Sequence, residues 1–413
     1  MSGSEDTIPV YVNYRDSYVE PKIKNALLES GIPLKFVDSR ADAKLFWAQY
    51  EDIDFDKLCD DTGTLACSYV IRKALIRKEY LWNTVVHYLA KNPKSILRTA
   101  VPEAFSLELD YAEFLDDSLM ESYELRQELE NNEALEPQQR KWYILKPSMC
   151  DGAQGIRIFS TIEELQAIFD SFDEALSDDD EESNHSSREN EIENIGALTV
   201  NDRNPENKIV IHQIRHFLVQ RYIANPLLLN NRKFHIRAYV LAVGGLSVYL
   251  FKEMLCLLAR DEYESPHADG EINLYGQLSN TCIQGDAPRE ASVQSFWNSS
   301  INNKEKVFES LVHILGDVFE AAATTQRIHF QPLNNSFEIF GVDFMVDETN
   351  QVHLLEVNAY PDFRQTGDEL SGLVERLFKS VVHTAIVPFF HPKKKCGASS
   401  DLVLARELKI YGF

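Results

Sequence analysis

The chain has 413 residues, 44% of them hydrophobic, which is enough apolar material for the cores of two or three domains. Its formal net charge of −24 argues against direct RNA or DNA binding, because phosphate backbones are bound through lysine and arginine. The six cysteines show no C-x-x-C spacing, and no apolar segment reaches the roughly 20 residues of a membrane helix. We therefore expect a cytoplasmic protein without a disulfide framework, a zinc site or a membrane span.

The N-terminal residues alternate between strand and helix signals. An amphipathic helix is predicted at 20–30, and strands are predicted at 8–14, 33–38 and 43–50. This alternation is typical of parallel strand pairing, so we expect an α/β domain over residues 8–66.

A long helical region is predicted over residues 68–91, and a strongly acidic helical stretch over 110–135. Further on, residues 171–207 form a low-complexity acidic segment, whose stretch SDDDEESNHSSRENE (177–191) has almost no apolar side chains. Such a segment cannot bury enough apolar surface to offset the entropy of ordering, so we predict an acidic, disordered insertion at 170–207.

Near the C-terminus, two strands joined by a polar turn are predicted within residues 338–363. Asp343 lies opposite the apolar alternation of the first strand, and Leu354, Glu356 and Asn358 share one face of the second. The two strands can therefore aim two carboxylates and one amide oxygen at a single point. Hard oxygen ligands of this kind suit Mg²⁺. The alternative is a pair of edge strands whose polar face meets water.

A loop that can approach phosphate follows the predicted strand at 142–148. Lys146 ends the strand, and Gly152 and Gly155 allow the backbone N–H groups of the loop to come close to phosphate oxygens. The segment matches neither the Walker A nor the G-x-G-x-x-G pattern, so a plain turn is the alternative.

Cations also line one face of the predicted strand at 233–240. Period two puts Lys233, His235, Arg237 and Tyr239 on the same side, where two fixed cations can bind phosphate or a substrate carboxylate. An ordinary sheet surface is the alternative. The strand end at 219–223 leaves backbone groups that can pair with an adenine edge.

Taken in order, seven segments of the chain resemble the tubulin–tyrosine ligase-like family of the ATP-grasp superfamily. They are IRKALIRKEYL (71–81), PEAFSLELDYAEF (102–114), the KPS–glycine loop (146–156), VQRYIANPLLL (219–229), NRKFHIRAYVL (231–241), LSNTCIQ (278–284) and FGVDFMVDE with LLEVNAYP (340–361). Seven ordered matches make the resemblance specific, and it covers the chain from residue 71 to about 390.

The resemblance implies an α/β (α+β) ATP-grasp fold of three parts, with ATP held between two antiparallel sheets. The parts are expected to be the N-terminal domain at 8–66, a central domain at 67–224 and a C-terminal domain at 225–413. It also implies the activity of an ATP-dependent carboxylate–amine ligase, which adds an amino acid to a protein or peptide carboxylate through an acyl phosphate. ATP and Mg²⁺ are the expected cofactors.

The family's site residues carry over by position. Lys73, Lys233 and Arg237 are expected to face the reacting substrate and the γ-phosphate, and Asp343, Glu356 and Asn358 to ligate Mg²⁺. The residues expected to bind ATP are Lys146, Gly152, Gly155, Gln220, Arg221, Tyr222, Ile223 and Asn280.

Two departures from the family pattern put catalysis in question. His235 stands where the family carries an aspartate, and Leu257 stands where it usually carries an arginine. The alternative function is therefore an ATP-binding pseudoenzyme that acts as a protein-interaction module. The resemblance extends to the TTL-like domain of a fungal P-body-associated protein, which implies partners in cytoplasmic mRNA-decay granules. Members of that kind carry a separate phosphatase-like domain, so we expect this chain to be part of a longer protein.

Overall fold

The structure is a computed structural model that describes residues 7–148, 150, 154–180, 211–266, 272–279, 292–366, 370–392 and 398–409. Strands occur throughout these ranges. They are β1 (Ile8–Asn13), β2 (Leu34–Phe36), β3 (Leu45–Ala48), β4 (Leu65–Ala66), β5 (Ala104–Glu108), β6 (Tyr143–Pro147), β7 (Arg157–Phe159), β8 (His216–Arg221), β9 (Leu228–Leu229), β10 (Arg232–Val243), β11 (Ser247–Phe251), β12 (Leu255–Leu258), β13 (Val293–Ser295), β14 (Phe337–Val346), β15 (Val352–Ala359) and β16 (Leu402–Glu407).

The helices range from single turns to six turns in length. They are α1 (Val19–Leu28), α2 (Phe55–Asp60), α3 (Lys73–Ile76), α4 (Lys78–Lys91), α5 (Leu97–Ala100), α6 (Leu115–Glu121), α7 (Tyr123–Glu133), α8 (Ile162–Asp180), α9 (Ile211–Ile214), α10 (Leu274–Gln277), α11 (Lys304–Thr325), α12 (Ser371–Val381) and α13 (Val387–Phe390). Across the described parts of the chain, none of these helices combines the length and the apolar character that crossing a bilayer requires.

The described residues fall into two compact units. Unit 1 comprises residues 1–101, 235–257 and 289–413, and unit 2 comprises residues 102–234 and 258–288. Strand β10 contributes to both, since Phe234 belongs to unit 2 and His235 to unit 1. The division of the chain at residues 66 and 224 stays a prediction.

Unit 1 contains a four-stranded parallel sheet in the order β2-β1-β3-β4. Strand β1 pairs in parallel with both β2 and β3, which confirms the pairing predicted from the strand–helix alternation. Helix α1 buries Val19, Ile23, Ala26 and Leu27, a spacing that forms one apolar stripe along a helix. This apolar stripe joins the apolar cluster that covers the sheet.

The second sheet of unit 1 is antiparallel and is built around the long strand β10. Strands β10 and β11 form a hairpin, with Gly244 at a φ of 60° in the turn. On its other side β10 pairs with β14, which in turn pairs with β15. The two strands predicted within residues 338–363 are thereby confirmed.

Unit 2 is built on a four-stranded antiparallel sheet in the order β5-β8-β6-β7. Period two separates its faces: Tyr143 and Leu145 pack under helices α6, α7 and α8, whereas Ile144 and Ile158 pack with Tyr222. Lys146 follows Ile144 by two residues and Gln220 precedes Tyr222 by two residues. Their side chains therefore lie on the second face, with Ile144 and Tyr222.

Two segments differ from the sequence-based expectation. The helical region predicted at 68–91 is two helices, because Arg77 adopts an extended conformation with a ψ of 124° between α3 and α4. Helix α8 continues to Asp180, so residues 170–180 of the segment predicted to be disordered are helical. Phe172 is buried against Phe169 in this helix, and that contact extends the apolar stripe past residue 170. Residues 181–207 of the predicted insertion lie outside the described residues.

Candidate functional site

Three neighbouring strands of unit 1 bring charged side chains to one face of the antiparallel sheet. The register pairs Arg237 of β10 with Asp343 of β14, and Asp343 with Glu356 of β15. Asn358 follows Glu356 by two residues and therefore projects from the same face. A bulge at Leu355, just before Glu356 on β15, shifts the pairing of β14 with β15 between Asp343 and Phe344. Backbone pairing therefore brings together four of the residues singled out in the sequence.

Arg237 and Asp343 form a buried, two-pronged ion pair. Arg237 Nε donates to Asp343 Oδ1 at 2.5 Å and Arg237 Nη2 donates to Asp343 Oδ2 at 3.0 Å. Burial alone would raise the pKa of Asp343, but the charge and hydrogen bonds of Arg237 hold that pKa below its usual value. Asp343 is therefore a carboxylate at neutral pH.

The amide of Asn358 links the two carboxylates. Its Nδ2 donates to Asp343 Oδ2 at 3.3 Å and to Glu356 Oε1 at 3.1 Å. Each carboxylate keeps further lone pairs, so Asp343 can hold Arg237 and still accept a cation.

These three side chains fit a hard divalent cation. Within the described ranges, no set of three or more His, Cys, Asp or Glu side chains is arranged to hold a metal, so the amide of Asn358 would be the third protein ligand. Rotating that amide by half a turn presents its oxygen in place of its nitrogen. Two carboxylates and one amide oxygen match the preference of Mg²⁺, which completes its shell with water and phosphate oxygens.

Gly341 allows the chain to fold closely over this site. It pairs with Asn358, and a Cβ atom at position 341 would come within 2.8 Å of Pro361 Cβ and 3.5 Å of Arg237 Cδ. Any larger residue would therefore displace Pro361.

The two departures from the family pattern lie on the same face as Arg237. His235 is 4% exposed, its Nε2 lies 3.8 Å from Asp343 Oδ1, and burial lowers its pKa to about 4. At neutral pH it is a neutral imidazole. Leu257 is fully buried in the same apolar cluster as Tyr239. Tyr239 follows Arg237 by two residues on β10, so both side chains lie on the same face of the sheet.

A second buried ion pair in unit 1 was not predicted from the sequence. Arg72 Nε lies 3.0 Å from Glu338 Oε1, and the guanidinium lies 4.1 Å from the Tyr50 ring centroid and 5.6 Å from that of Tyr360. Tyr360, two residues after Asn358, has a φ of 51°. The pair anchors the start of α3, where Lys73 follows Arg72, to the strand that carries Asp343. The only sequence signal is an arginine before Lys73 and an acidic residue inside an apolar strand.

In unit 2, a buried lysine lies beside an amide on the second face of the sheet. Lys146 Nζ donates to Gln220 Oε1 at 2.6 Å, and both side chains are at least nine-tenths buried. Gln220 also donates to the carbonyl of Pro102 at 3.4 Å. Strand pairing between β6 and β8 therefore brings together two of the residues expected to bind ATP.

Lys233 lies in an aromatic pocket within unit 2. Its Nζ donates to Tyr222 Oη at 2.6 Å and lies 3.9 Å from the centroid of the Tyr222 ring and 5.7 Å from that of Tyr263. Tyr222 Oη in turn contacts Gln277 Oε1. Burial, reinforced by the charge of Lys146, lowers the pKa of Lys233 well below its usual value.

The remaining predicted site residues are placed less uniformly. Arg221 points to the other face of the sheet, where its Nη1 donates to Tyr143 Oη at 3.1 Å. Ile223 is half-buried after the end of β8, and Lys73 is exposed at the first residue of α3. Gly155 adopts a φ of 67° in the loop before β7. Gly152 and Asn280 lie outside the described residues.

Comparison with known proteins gives concordant results. The model of the tubulin-tyrosine ligase family matches residues 64–394. The chain is 63% identical over 414 residues to a probable tubulin–tyrosine ligase of Schizosaccharomyces pombe, with both proteins covered in full. It is 44% identical over 361 residues to the probable tubulin–tyrosine ligase PBY1 of Saccharomyces cerevisiae, covering 84% of this chain but only 46% of that protein.

A solved structure supports the same conclusion. The C-terminal domain of K. lactis Pby1, described as an ATP-grasp enzyme interacting with the mRNA decapping enzyme Dcp2, superimposes with a TM-score of 0.70 at 36% identity. The match covers 98% of this chain and 100% of that domain. The fold is thus a mixed helix-and-sheet ATP-grasp fold with antiparallel sheets, and the chain belongs to the tubulin-tyrosine ligase family.

Proposed function

We propose that this protein is a Mg²⁺- and ATP-dependent ligase that joins the amine of an amino acid to a carboxylate of a protein or peptide. The observation that carries the proposal is the group formed by Asp343, Glu356 and Asn358 beside Arg237. Membership of the tubulin-tyrosine ligase family supports the reaction class.

Asp343, Glu356 and Asn358 would hold Mg²⁺ through two carboxylates and one amide oxygen. The bound cation would neutralise phosphate charge as it develops. Arg237 holds Asp343 ionised and fixes its orientation through two hydrogen bonds. Strands β10, β14 and β15 would therefore position the metal. The reaction would need no protein nucleophile.

The lysines of unit 2 suit the phosphates of ATP, and the end of β8 suits the base. Lys233 is 3% exposed, and no carboxylate among the described residues lies within ion-pair distance of its ammonium group. A bound phosphate would supply the missing negative charge and restore the pKa of Lys233. Gln220, Tyr222 and Ile223 would contact the adenine.

In the proposed reaction, an oxygen of the acceptor carboxylate attacks the γ-phosphorus of ATP and ADP leaves, which gives an acyl phosphate. The amine then attacks the acyl carbon, phosphate leaves and the nitrogen loses a proton, which completes the amide bond. Lys73 and Arg237 would hold the acceptor carboxylate against the γ-phosphoryl group. Positioning and charge neutralisation supply the catalysis.

The test is calorimetric titration of Mg²⁺–ATP into the parent chain and into Glu356→Gln. The substitution keeps the shape of the side chain and removes one of the two carboxylates, so we expect at least tenfold weaker binding. Glu348→Gln, which changes an exposed glutamate in the turn between β14 and β15, is the matched control. Equal affinity in all three proteins would contradict the metal assignment.

A second candidate function is an ATP-binding interaction module without ligase activity. His235 favours it, because a neutral imidazole cannot supply the fixed negative charge of the aspartate usual in the family. The K. lactis relative is described as interacting with Dcp2, so we infer that this chain binds components of mRNA-decay granules in the cytoplasm. ATP binding without ATP turnover, together with direct binding to purified Dcp2, would favour this function over the ligase.

A further inference from the structure

The turn that follows strand β15 contains a strained residue. Tyr360 has a φ of 51°, in the left-handed region that favours glycine because a Cβ atom crowds the backbone there. Pro361 comes next, and a proline favours an extended conformation in the residue before it. A backbone strained in this way persists only where surrounding contacts hold it, and such residues are concentrated at functional sites.

The side chain of Tyr360 supplies contacts that hold this turn. Its Oη donates to the carbonyl of Ala48, the last residue of β3, at 3.2 Å. Its ring centroid lies 5.8 Å from that of Tyr14, which directly follows β1. All three residues belong to unit 1. The end of β15 is therefore fastened to the parallel sheet of the same unit.

The Tyr360 ring also contacts the buried ion pair that anchors helix α3. The guanidinium of Arg72 lies 5.6 Å from the ring centroid, within the range of a cation–π interaction. Arg72 is paired with Glu338 and precedes Lys73, the first residue of α3. Tyr360 therefore joins the turn after β15 to the start of the helix that carries Lys73.

The conformation of Tyr360 determines where the chain runs after Asn358. Asn358 pairs with Gly341, and a Cβ atom on this same glycine would come within 2.8 Å of Pro361 Cβ. Because Tyr360 lies between Asn358 and Pro361 in the sequence, its left-handed turn brings the chain back over the strand pair. The amide of Asn358 is only half-buried, so its position depends on how this turn is held.

We propose that Tyr360 is a positioning residue of the Mg²⁺ site, whose side chain holds a strained turn so that Asn358 is placed as the third protein ligand. The inference rests on the proposed function, because it takes Asn358 as a ligand of the metal. If Tyr360 served the fold alone, metal affinity would follow fold stability across its variants. For a positioning residue the two separate, because relieving the strain stabilises the fold and frees the ligand.

Three substitutions separate the strain from the contacts. Tyr360→Gly removes both, Tyr360→Ala removes the contacts and keeps the strain, and Tyr360→Phe removes only the hydroxyl. Calorimetry gives the ratio of the ATP affinity in Mg²⁺ to the ATP affinity in EDTA, and urea unfolding gives the stability and verifies that each variant folds.

We expect the ratio to fall about tenfold for Tyr360→Gly and Tyr360→Ala, as is typical when a group that orients a metal ligand is lost. For Tyr360→Phe it should fall by less than about threefold, because the ring contacts remain. Tyr360→Gly should nevertheless unfold at a higher urea concentration than Tyr360→Ala, because glycine adopts a positive φ without strain.

Asn350→Ala is the matched control, because Asn350 is also left-handed, with a φ of 66°, in the exposed turn between β14 and β15. It should lower the stability and leave the ratio unchanged. Ratios equal to that of the parent in Tyr360→Gly and Tyr360→Ala would overturn the assignment of Tyr360 and leave the proposed metal site standing. A ratio that follows stability, with Tyr360→Gly close to the parent, would also overturn it. A parent whose ATP affinity is the same in Mg²⁺ and in EDTA would overturn the metal site and this inference together.

Discussion

The two units bury charge in opposite ways. In unit 1 each buried cation described above faces a buried carboxylate, as Arg237 faces Asp343 and Arg72 faces Glu338. In unit 2 the buried Lys233 is satisfied by the hydroxyl of Tyr222 and by aromatic rings. The buried cations Arg237 and Arg72 of unit 1 are therefore each paired with a carboxylate of the same unit. The Lys233 site of unit 2 is instead positively charged whenever the lysine is protonated.

This difference indicates which part of the site depends on a ligand. A buried pair of opposite charges is costly to break, because removing one partner leaves an uncompensated charge. A buried lysine without a carboxylate instead lowers its pKa and gains most when an anion arrives. We infer that unit 1 holds its geometry before ligand binding, and that the lysines of unit 2 are stabilised by it.

The largest effect is expected from Asp343→Asn, which leaves Arg237 buried beside a neutral amide. We expect the free energy of unfolding to fall by about 3–5 kcal/mol. Asp347→Asn is the matched control, because Asp347 accepts from His353 at the same end of β14 but is more exposed, and its loss should cost about 1 kcal/mol or less. Urea unfolding measures both. A loss for Asp343→Asn no larger than that of the control would show that unit 1 does not depend on this pair.

Glu338→Gln tests the buried pair of Arg72 and Glu338 in unit 1 through the pH dependence of the free energy of unfolding. Burial raises the pKa of Glu338 from 4.5 to about 7, while Arg72 opposes the rise. Because the folded pKa exceeds the unfolded one, the stability linked to this group is full below pH 4.5 and is lost as the pH rises to about 7.

The stability of the parent relative to Glu338→Gln should therefore decrease across that window, by on the order of 3 kcal/mol at most. Urea unfolding at half-unit pH steps measures the difference, with Glu348→Gln as the control that should show no such slope. An advantage of the parent that grows from pH 4.5 to 7 would mean that Arg72 outweighs burial.

Lys233→Met tests the buried cation of unit 2, which has no carboxylate partner among the described residues. Replacing a buried cation by an apolar side chain of similar length should raise the free energy of unfolding at pH 7 by about 1–2 kcal/mol. The same change should weaken Mg²⁺–ATP binding, because the phosphates lose a cation. Since the folded pKa of Lys233 is depressed, the gain should shrink as the pH rises through 10.5, above which the lysine is neutral in both states.

Lys141→Met is the matched control, because Lys141 pairs with Glu128 at the surface of the same unit. That substitution should change stability by less than about 1 kcal/mol and leave ATP binding unchanged. A parent more stable than Lys233→Met at pH 7 would show that the aromatic contacts outweigh the cost of burying the lysine.

Local patterns in the sequence predict part of the site, and contacts between distant segments supply the rest. Alternation placed Asp343, Glu356 and Asn358 on facing strands, and the register confirms that they meet. The pair of Arg72 with Glu338 joins residues far apart in the chain, so no local pattern reveals it. The sequence likewise gives no signal for the bulge at Leu355, because a bulge depends on how the partner strand pairs.

Arg221 shows where strand alternation separates residues that the family resemblance groups together. Period two along β8 puts Gln220 and Tyr222 on one face and Arg221 on the other, although the resemblance implies that all three contact ATP. The structure agrees with the alternation, since Arg221 lies 3.9 Å from Glu128 on the opposite face from Lys146. Which of these side chains contact ATP stays a prediction.

The smallest effect is therefore expected from Arg221→Gln. Its ion pair with Glu128 is partly exposed and long, so unfolding should change by about 0.5 kcal/mol or less. Binding of Mg²⁺–ATP should change by less than about threefold, because the side chain faces away from Lys146. Gln220→Leu is the contrast on the other face, since it removes an acceptor of Lys146 while preserving side-chain size, and calorimetry should show the larger loss. A greater loss for Arg221→Gln would mean that its side chain turns to the nucleotide face when ATP binds.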